Sequence, residues 1–109
     1  MPARQEPIIR RYEKNPILTR RDVPYPVETV HNAGVVKHDG KYVMLFRAHL
    51  RNGRCVIGLA ESADGYHFAV RPEPFITPAA AEPFAGYEEF GVEDPRICSM
   101  EGAYWITYS

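Results

Sequence analysis

From Asn32 onward, apolar and polar residues alternate over short runs that are punctuated by Asp39-Gly40, Asn52-Gly53 and Asp64-Gly65. Asp-Gly and Asn-Gly supply the positive φ of tight hairpin turns, so each pair predicts an antiparallel reversal rather than a helical crossover. The runs between them, Gly34–Lys37, Tyr42–Ala48, Cys55–Glu61 and His67–Arg71, read as four strands of a meander. Upstream, residues 1–30 lack helical periodicity. Asn15-Pro16-Ile17-Leu18 and Pro24-Tyr25-Pro26 predict an extended segment lying on the main body. Residues 72–90 contain four prolines and predict a long irregular connection anchored by Phe75, Phe84, Tyr87 and Phe90. The strand pattern then resumes with Arg96–Met100, a Glu101-Gly102 turn and Tyr104–Ser109.

Superposing Gly40 on Gly102 sets an offset of 62 residues and pairs Tyr42 with Tyr104, Val43 with Trp105, Met44 with Ile106 and Phe46 with Tyr108. The same offset brings Asn32 onto Asp94. An amide and a carboxylate thereby occupy equivalent entrances to the first strand of successive units, facing one place. Four-stranded units recurring at roughly 40–60 residues mark the blades of a β-propeller, whose innermost strands line a channel where ligands gather. Two copies leave open the competing reading, a small β-sandwich with two similar hairpins. The propeller reading predicts an all-β chain of roughly one and a half blades: residues 1–30 an extended N-terminal segment, 31–109 the first blade and the start of the second, and the whole an N-terminal portion of a larger catalytic domain.

Composition narrows the partners. The 109 residues carry a formal net charge of −1, which provides no basic field for nucleic acid or an anionic membrane surface. Met1 to Arg11 lacks the apolar core of a signal peptide, and no apolar run reaches bilayer length, which together predict a cytoplasmic protein. Cys55 and Cys98 form neither a CxxC pair nor zinc-ligand spacing and read as reduced core residues. His31, His38, His49 and His67 show no HxH or HExxH spacing, so no metal site is predicted.

The chemistry concentrates in Gly91-Val92-Glu93-Asp94-Pro95-Arg96. Pro95 biases Asp94 away from the helical region, holding its carboxylate at a strand entrance. Arg96 adds a planar set of donors beside it. Asp-Pro also opens ordinary turns, and a neighbouring Arg can simply neutralise the carboxylate. Strand alternation predicts that Glu93 points away from Asp94 and serves as a structural acceptor. Ser62, Asp64 and Gly65 read as a structural turn.

Taken in order, Asn15-Pro16, His31-Asn32-Ala33-Gly34, Leu45-Phe46-Arg47, Ala60-Glu61-Ser62-Ala63-Asp64-Gly65 and Gly91-Val92-Glu93-Asp94-Pro95-Arg96 resemble glycoside hydrolase family 130, a family of β-mannoside phosphorylases with some hydrolases. The resemblance implies a five-bladed β-propeller of which this chain is roughly a third. It also implies that Asp94 is the general acid toward the glycosidic oxygen, in some members through a sugar hydroxyl. Asn32 and Arg47 match positions holding the sugar next to the scissile bond, and Arg96 is expected to orient Asp94. The implied reaction is inverting phosphorolysis of a β-1,4-mannoside to α-mannose 1-phosphate, with an oligosaccharide substrate, inorganic phosphate as co-substrate and no cofactor. A phosphorylase needs only the acid, because phosphate is already an anionic nucleophile, whereas an inverting hydrolase needs a second carboxylate as base. The phosphate-binding groups of the family lie in later blades, so the chain on its own is expected to be inactive. An inverting β-mannoside hydrolase and a non-catalytic glycan-binding propeller are the alternatives, and homo-oligomerisation of the complete protein is left open. For proton donation, partial burial is expected to raise the pKa of Asp94, against a lowering by Arg96.

Overall fold

The computed structural model describes residues 8–109. The expectation for the first seven residues lies outside the described residues. Strands β1 (Val27–His38), β2 (Lys41–Leu50), β3 (Cys55–Ser62) and β4 (Ala69–Val70) form one antiparallel sheet in sequential order, and β5 (Arg96–Met100) and β6 (Ala103–Thr107) form a separate hairpin. The meander follows from its turns. Asp39 and Gly40 both adopt positive φ, as do Glu101 and Gly102 at the second reversal.

The strands differ from the pattern-based expectation at two places. β1 begins at Val27, well before Gly34, because it pairs with β2 on both sides of two irregularities, between Val27 and Thr29 and between His31 and Gly34. β4 has only two residues, since Pro72 and Pro74 lack the N–H needed to continue the ladder. The edge of β3 is nevertheless used: Arg71 N–H donates to the Leu59 carbonyl, and Phe75 and Ile76 N–H both donate to Ile57.

Alternation along β2 and β3 builds two cores, one on each face of the sheet. Met44, Phe46, Ala48, Val56 and Ala60 pack with Val23, Val27, Ile17 and Leu18 from the N-terminal segment. Leu45, Ile57 and Leu59 pack on the other face with Val92, Ile76, Ile97 and Ile106. The segment before β1 includes a single 3-10 turn at Arg20–Asp22, where Thr19 and Asp22 cap one another through side chain and backbone. The connection 72–92 contributes Ile76 and Val92 to the second core and includes one short helix, α1 (Ala85–Glu88), where no helix was expected.

Cys55 is buried and reduced as expected, but Cys98 is exposed, which corrects its reading as a core residue. In β5 the inward position belongs to Ile97, so its neighbour Cys98 alternates to the outer face. At the β3–β4 reversal, Asp64 accepts from the backbone N–H groups of Tyr66 and His67 and from Ser62 Oγ, and it pairs with the His67 ring at 2.7 Å. These bonds, led by that from His67 N–H, hold its carboxyl far below the usual range, as befits a structural turn.

Candidate active site

β1 and β5 lie side by side through Gly34, where an added Cβ would sit 3.3 Å from both the Pro95 carbonyl and Ile97 Cγ2. That close approach brings the irregularity inside β1 against the entrance to β5. The irregularity between His31 and Gly34 leaves Asn32 in the left-handed region at φ 50°, and Asp94 has φ 54° just before β5. Asn and Asp tolerate this region better than other non-glycine residues, and a bulge re-aims the side chain it carries. Asn32 Nδ2 donates to Asp94 Oδ1 at 2.7 Å, across 62 residues of sequence. The amide and the carboxylate of the two units therefore meet directly.

Arg47, on β2, completes the cluster with three different acceptors. Its Nη1 donates to Asp94 Oδ1 at 3.3 Å, its Nη2 pairs with the Glu93 carboxylate, and its Nε donates to Cys55 Sγ at 3.2 Å. The Cys55 contact is the largest influence on the guanidinium, holding its proton more firmly than usual, with Glu93 and Asp94 adding to it. Five N–H donors on a guanidinium leave two for a ligand after these three bonds. Asp94 keeps 37% of its side chain exposed, enough for a substrate to reach it.

Two expectations for this stretch need correction. Asp94 avoids the right-handed helical region, as expected of a residue before proline, but it does so on the positive-φ side. Because of that, strand alternation does not apply between Glu93 and Asp94, and both carboxylates converge on Arg47 instead of pointing apart. The Asp94 pKa is lowered, not raised. The Asn32 amide is the largest cause, Arg47 follows, and Arg96 is the weakest; burial pushes the other way without prevailing. Arg96 itself donates to the Pro95 carbonyl at 3.1 Å and reaches Asp94 only through its field.

The segment leading into Asp94 is fixed by backbone bonds. Val92 N–H donates to the Cys55 carbonyl, and Glu93 exchanges both backbone bonds with Ser109, all at 2.9 Å. Gly91 has φ 120°, and a Cβ there would lie 2.5 Å from Cys55 N, so only glycine fits. Beside Asn32 an open groove of about 460 Å³ runs between Asn15–Leu18 and the strands, lined by His31, Ala33, Met44 and Phe46. Among the described residues there is no cluster of His, Cys, Asp and Glu able to hold a metal, and no helix is long and apolar enough to cross a membrane.

Residues 3–109 match the family model described as beta-1,4-mannooligosaccharide phosphorylase. The chain belongs to glycoside hydrolase family 130. It is 28% identical to the beta-1,4-mannooligosaccharide phosphorylase of Ruminococcus albus over 98% of its own length and 33% of the relative's. It is 36% identical to the beta-1,2-mannobiose phosphorylase of Listeria innocua over 49% of its own length and 14% of the relative's. A solved structure from work on GH130 glycoside hydrolases that target beta-1,2 mannosidic linkages in Candida mannan superposes with a TM-score of 0.79 at 28% identity, covering 91% of this chain and 33% of that one. The chain thus spans about a third of these full-length relatives. Its sheets are roughly one and a half blades of the five-bladed propeller of the family.

Sequence reasoning missed the engagement of Cys55 and Glu93 with Arg47. A signal for Cys55 existed: the Asn52-Gly53 turn sets the register that pairs Arg47 with Ile57, which makes Cys55 a diagonal neighbour on the same face. Nothing comparable marked Glu93, whose direction depends on the left-handed Asp94.

Proposed function

We propose that the complete protein catalyses inverting phosphorolysis of β-1,4-mannosides, releasing α-mannose 1-phosphate, with Asp94 as general acid. The observation carrying this reading is the partly exposed Asp94 carboxylate held by an amide and a guanidinium where the irregularity of β1 meets the entrance to β5. Asp94 passes a proton toward the glycosidic oxygen, directly or through a sugar hydroxyl, as that C–O bond breaks and a phosphate oxygen bonds to the anomeric carbon from the opposite face. Asn32 and Arg47 stabilise the carboxylate that results and use their remaining donors on hydroxyls of the sugar next to the scissile bond. Arg96 tunes the same carboxylate through its field. The lowered pKa favours the ionised state of Asp94.

Phosphate enters this scheme as an anionic nucleophile that needs no carboxylate base. Glu93 does not supply such a base, since its carboxylate is committed to Arg47. The 109 residues are expected to be inactive by themselves, because they cover about a third of the curated relative.

The test uses the full-length gene product with β-1,4-mannobiose and β-1,2-mannobiose, each with and without inorganic phosphate, followed by chromatography. Mannose 1-phosphate formed from the β-1,4 substrate only when phosphate is present is the expected result. Free mannose irrespective of phosphate replaces this reading with the hydrolase, and preferential turnover of the β-1,2 substrate overturns the linkage.

A further inference from the structure

Cys55 is 3% exposed, too deep to touch a sugar, yet it contacts both halves of the candidate acid site. Its Sγ accepts from Arg47 Nε at 3.2 Å, and its carbonyl accepts from Val92 N–H at 2.9 Å, two residues before Asp94. Along this face of the sheet Ile57, Leu59 and Val92 offer Nε no other side-chain acceptor. A guanidinium is planar, so fixing Nε and one terminal nitrogen fixes the direction of the other. With Nη2 taken by Glu93, the sulfur contact is what holds Nη1 on Asp94 rather than letting the group pivot toward Glu93.

We propose that Cys55 is a positioning residue: its sulfur locks the Arg47 guanidinium in the orientation that serves Asp94, while its backbone locks the segment on which Asp94 rides. The kinetic consequence rests on the acid role proposed above, whereas the geometric one does not. Sulfur is a weak acceptor, so the contribution is to direction rather than to binding strength.

The experiment follows the Asp94 carboxyl by ¹³C NMR titration in the full-length protein, assigned by its loss in Asp94→Asn, together with kcat, KM and Tm. The charged groups acting on it are Arg47 and Arg96, with Glu93 sharing Arg47. Cys55→Ala and Cys55→Val both remove the acceptor, the second without opening a cavity. A freed Arg47 withdraws support from the ionised carboxylate, so both variants should raise the Asp94 midpoint by up to about one unit. In an active parent both should also lower kcat/KM by about 10-fold. Cys55→Ser, which restores an acceptor, should return the midpoint toward the parent value. A fall in Tm with an unmoved Asp94 midpoint would overturn the proposal, leaving Cys55 a packing residue. A parent that turns over no mannoside removes the proposed function instead, and the titration still decides the positioning role.

Discussion

The entrances to the two repeated units have nearly the same backbone and different chemistry. Asn32 and Asp94 differ by only a few degrees in φ (50° and 54°), as do Asp39 and Glu101 (53° and 52°) and Gly40 and Gly102 (78° and 77°). Each pair is separated by the same 62 residues. Around these shared turns the units diverge: β1 and β2 run for 12 and 10 residues and β2 is buried on both faces, whereas β5 and β6 have five residues each and bury mainly Ile97 and Ile106. The comparison teaches that turn chemistry sets the repeat, while the residue at one entrance decides what the repeat does. An amide there is a donor; a carboxylate is an acceptor and a carrier of protons.

The sharpest break in the comparison is Asp94→Asn, which makes the two entrances alike. Turnover by the full-length protein should fall by about 10²–10⁴-fold with Tm little changed, and activity near the parent level would remove Asp94 from the acid role. Next comes Arg47→Ala, which strips the guanidinium shared by Glu93 and Asp94. It should lower kcat/KM by about 10²-fold, chiefly through weaker productive sugar binding, and unchanged steady-state kinetics would reject that assignment.

Asn32→Asp makes the entrances alike in the other direction. Two carboxyls at the distance now spanned by the 2.7 Å bond cannot both ionise, so the pair should hold one proton to higher pH. In the parent, Asp94 has a depressed folded-state pKa, so its stabilisation is present above the unfolded carboxylate range and is lost as pH falls through the folded value. In the variant one carboxyl is raised, and its contribution is present below the unfolded value and lost as pH rises through the folded one. The Tm difference between parent and variant should therefore shrink on going from pH 7 toward about pH 4. A constant difference across that range would show that the two side chains do not share a proton.

The smallest effect concerns the turns. Glu is poorly suited to the left-handed region that Asp accepts, so Glu101→Asn should stabilise by about 0.5–1 kcal/mol, while Asp39→Asn should change stability by only about 0.3 kcal/mol. Denaturant melts of the two variants compare the turns directly, and equal responses would mean that local φ preference does not distinguish them.

Much of this was written in local sequence. Asp-Gly, Asn-Gly and Glu-Gly pairs located every tight reversal, and alternation located the central strands, because hairpin turns and pleated faces depend on a few adjacent residues. The equivalence of Asn32 and Asp94 followed from aligning two such turns. What the chain alone did not reveal was how the carboxylate is held. The positive φ of Asp94 overrode the alternation that separated it from Glu93, and the short α1 arose inside a connection whose prolines gave no sign of it. Cys98 faced outward because only one face of its hairpin packs on the first sheet. Sequence determined the turns, the strands and the residues able to do chemistry. Tertiary structure decided their partners: it set Asn32, Arg47, Glu93 and Cys55 around one site and so fixed the sign of the Asp94 pKa shift, which depends on distances between groups far apart along the chain.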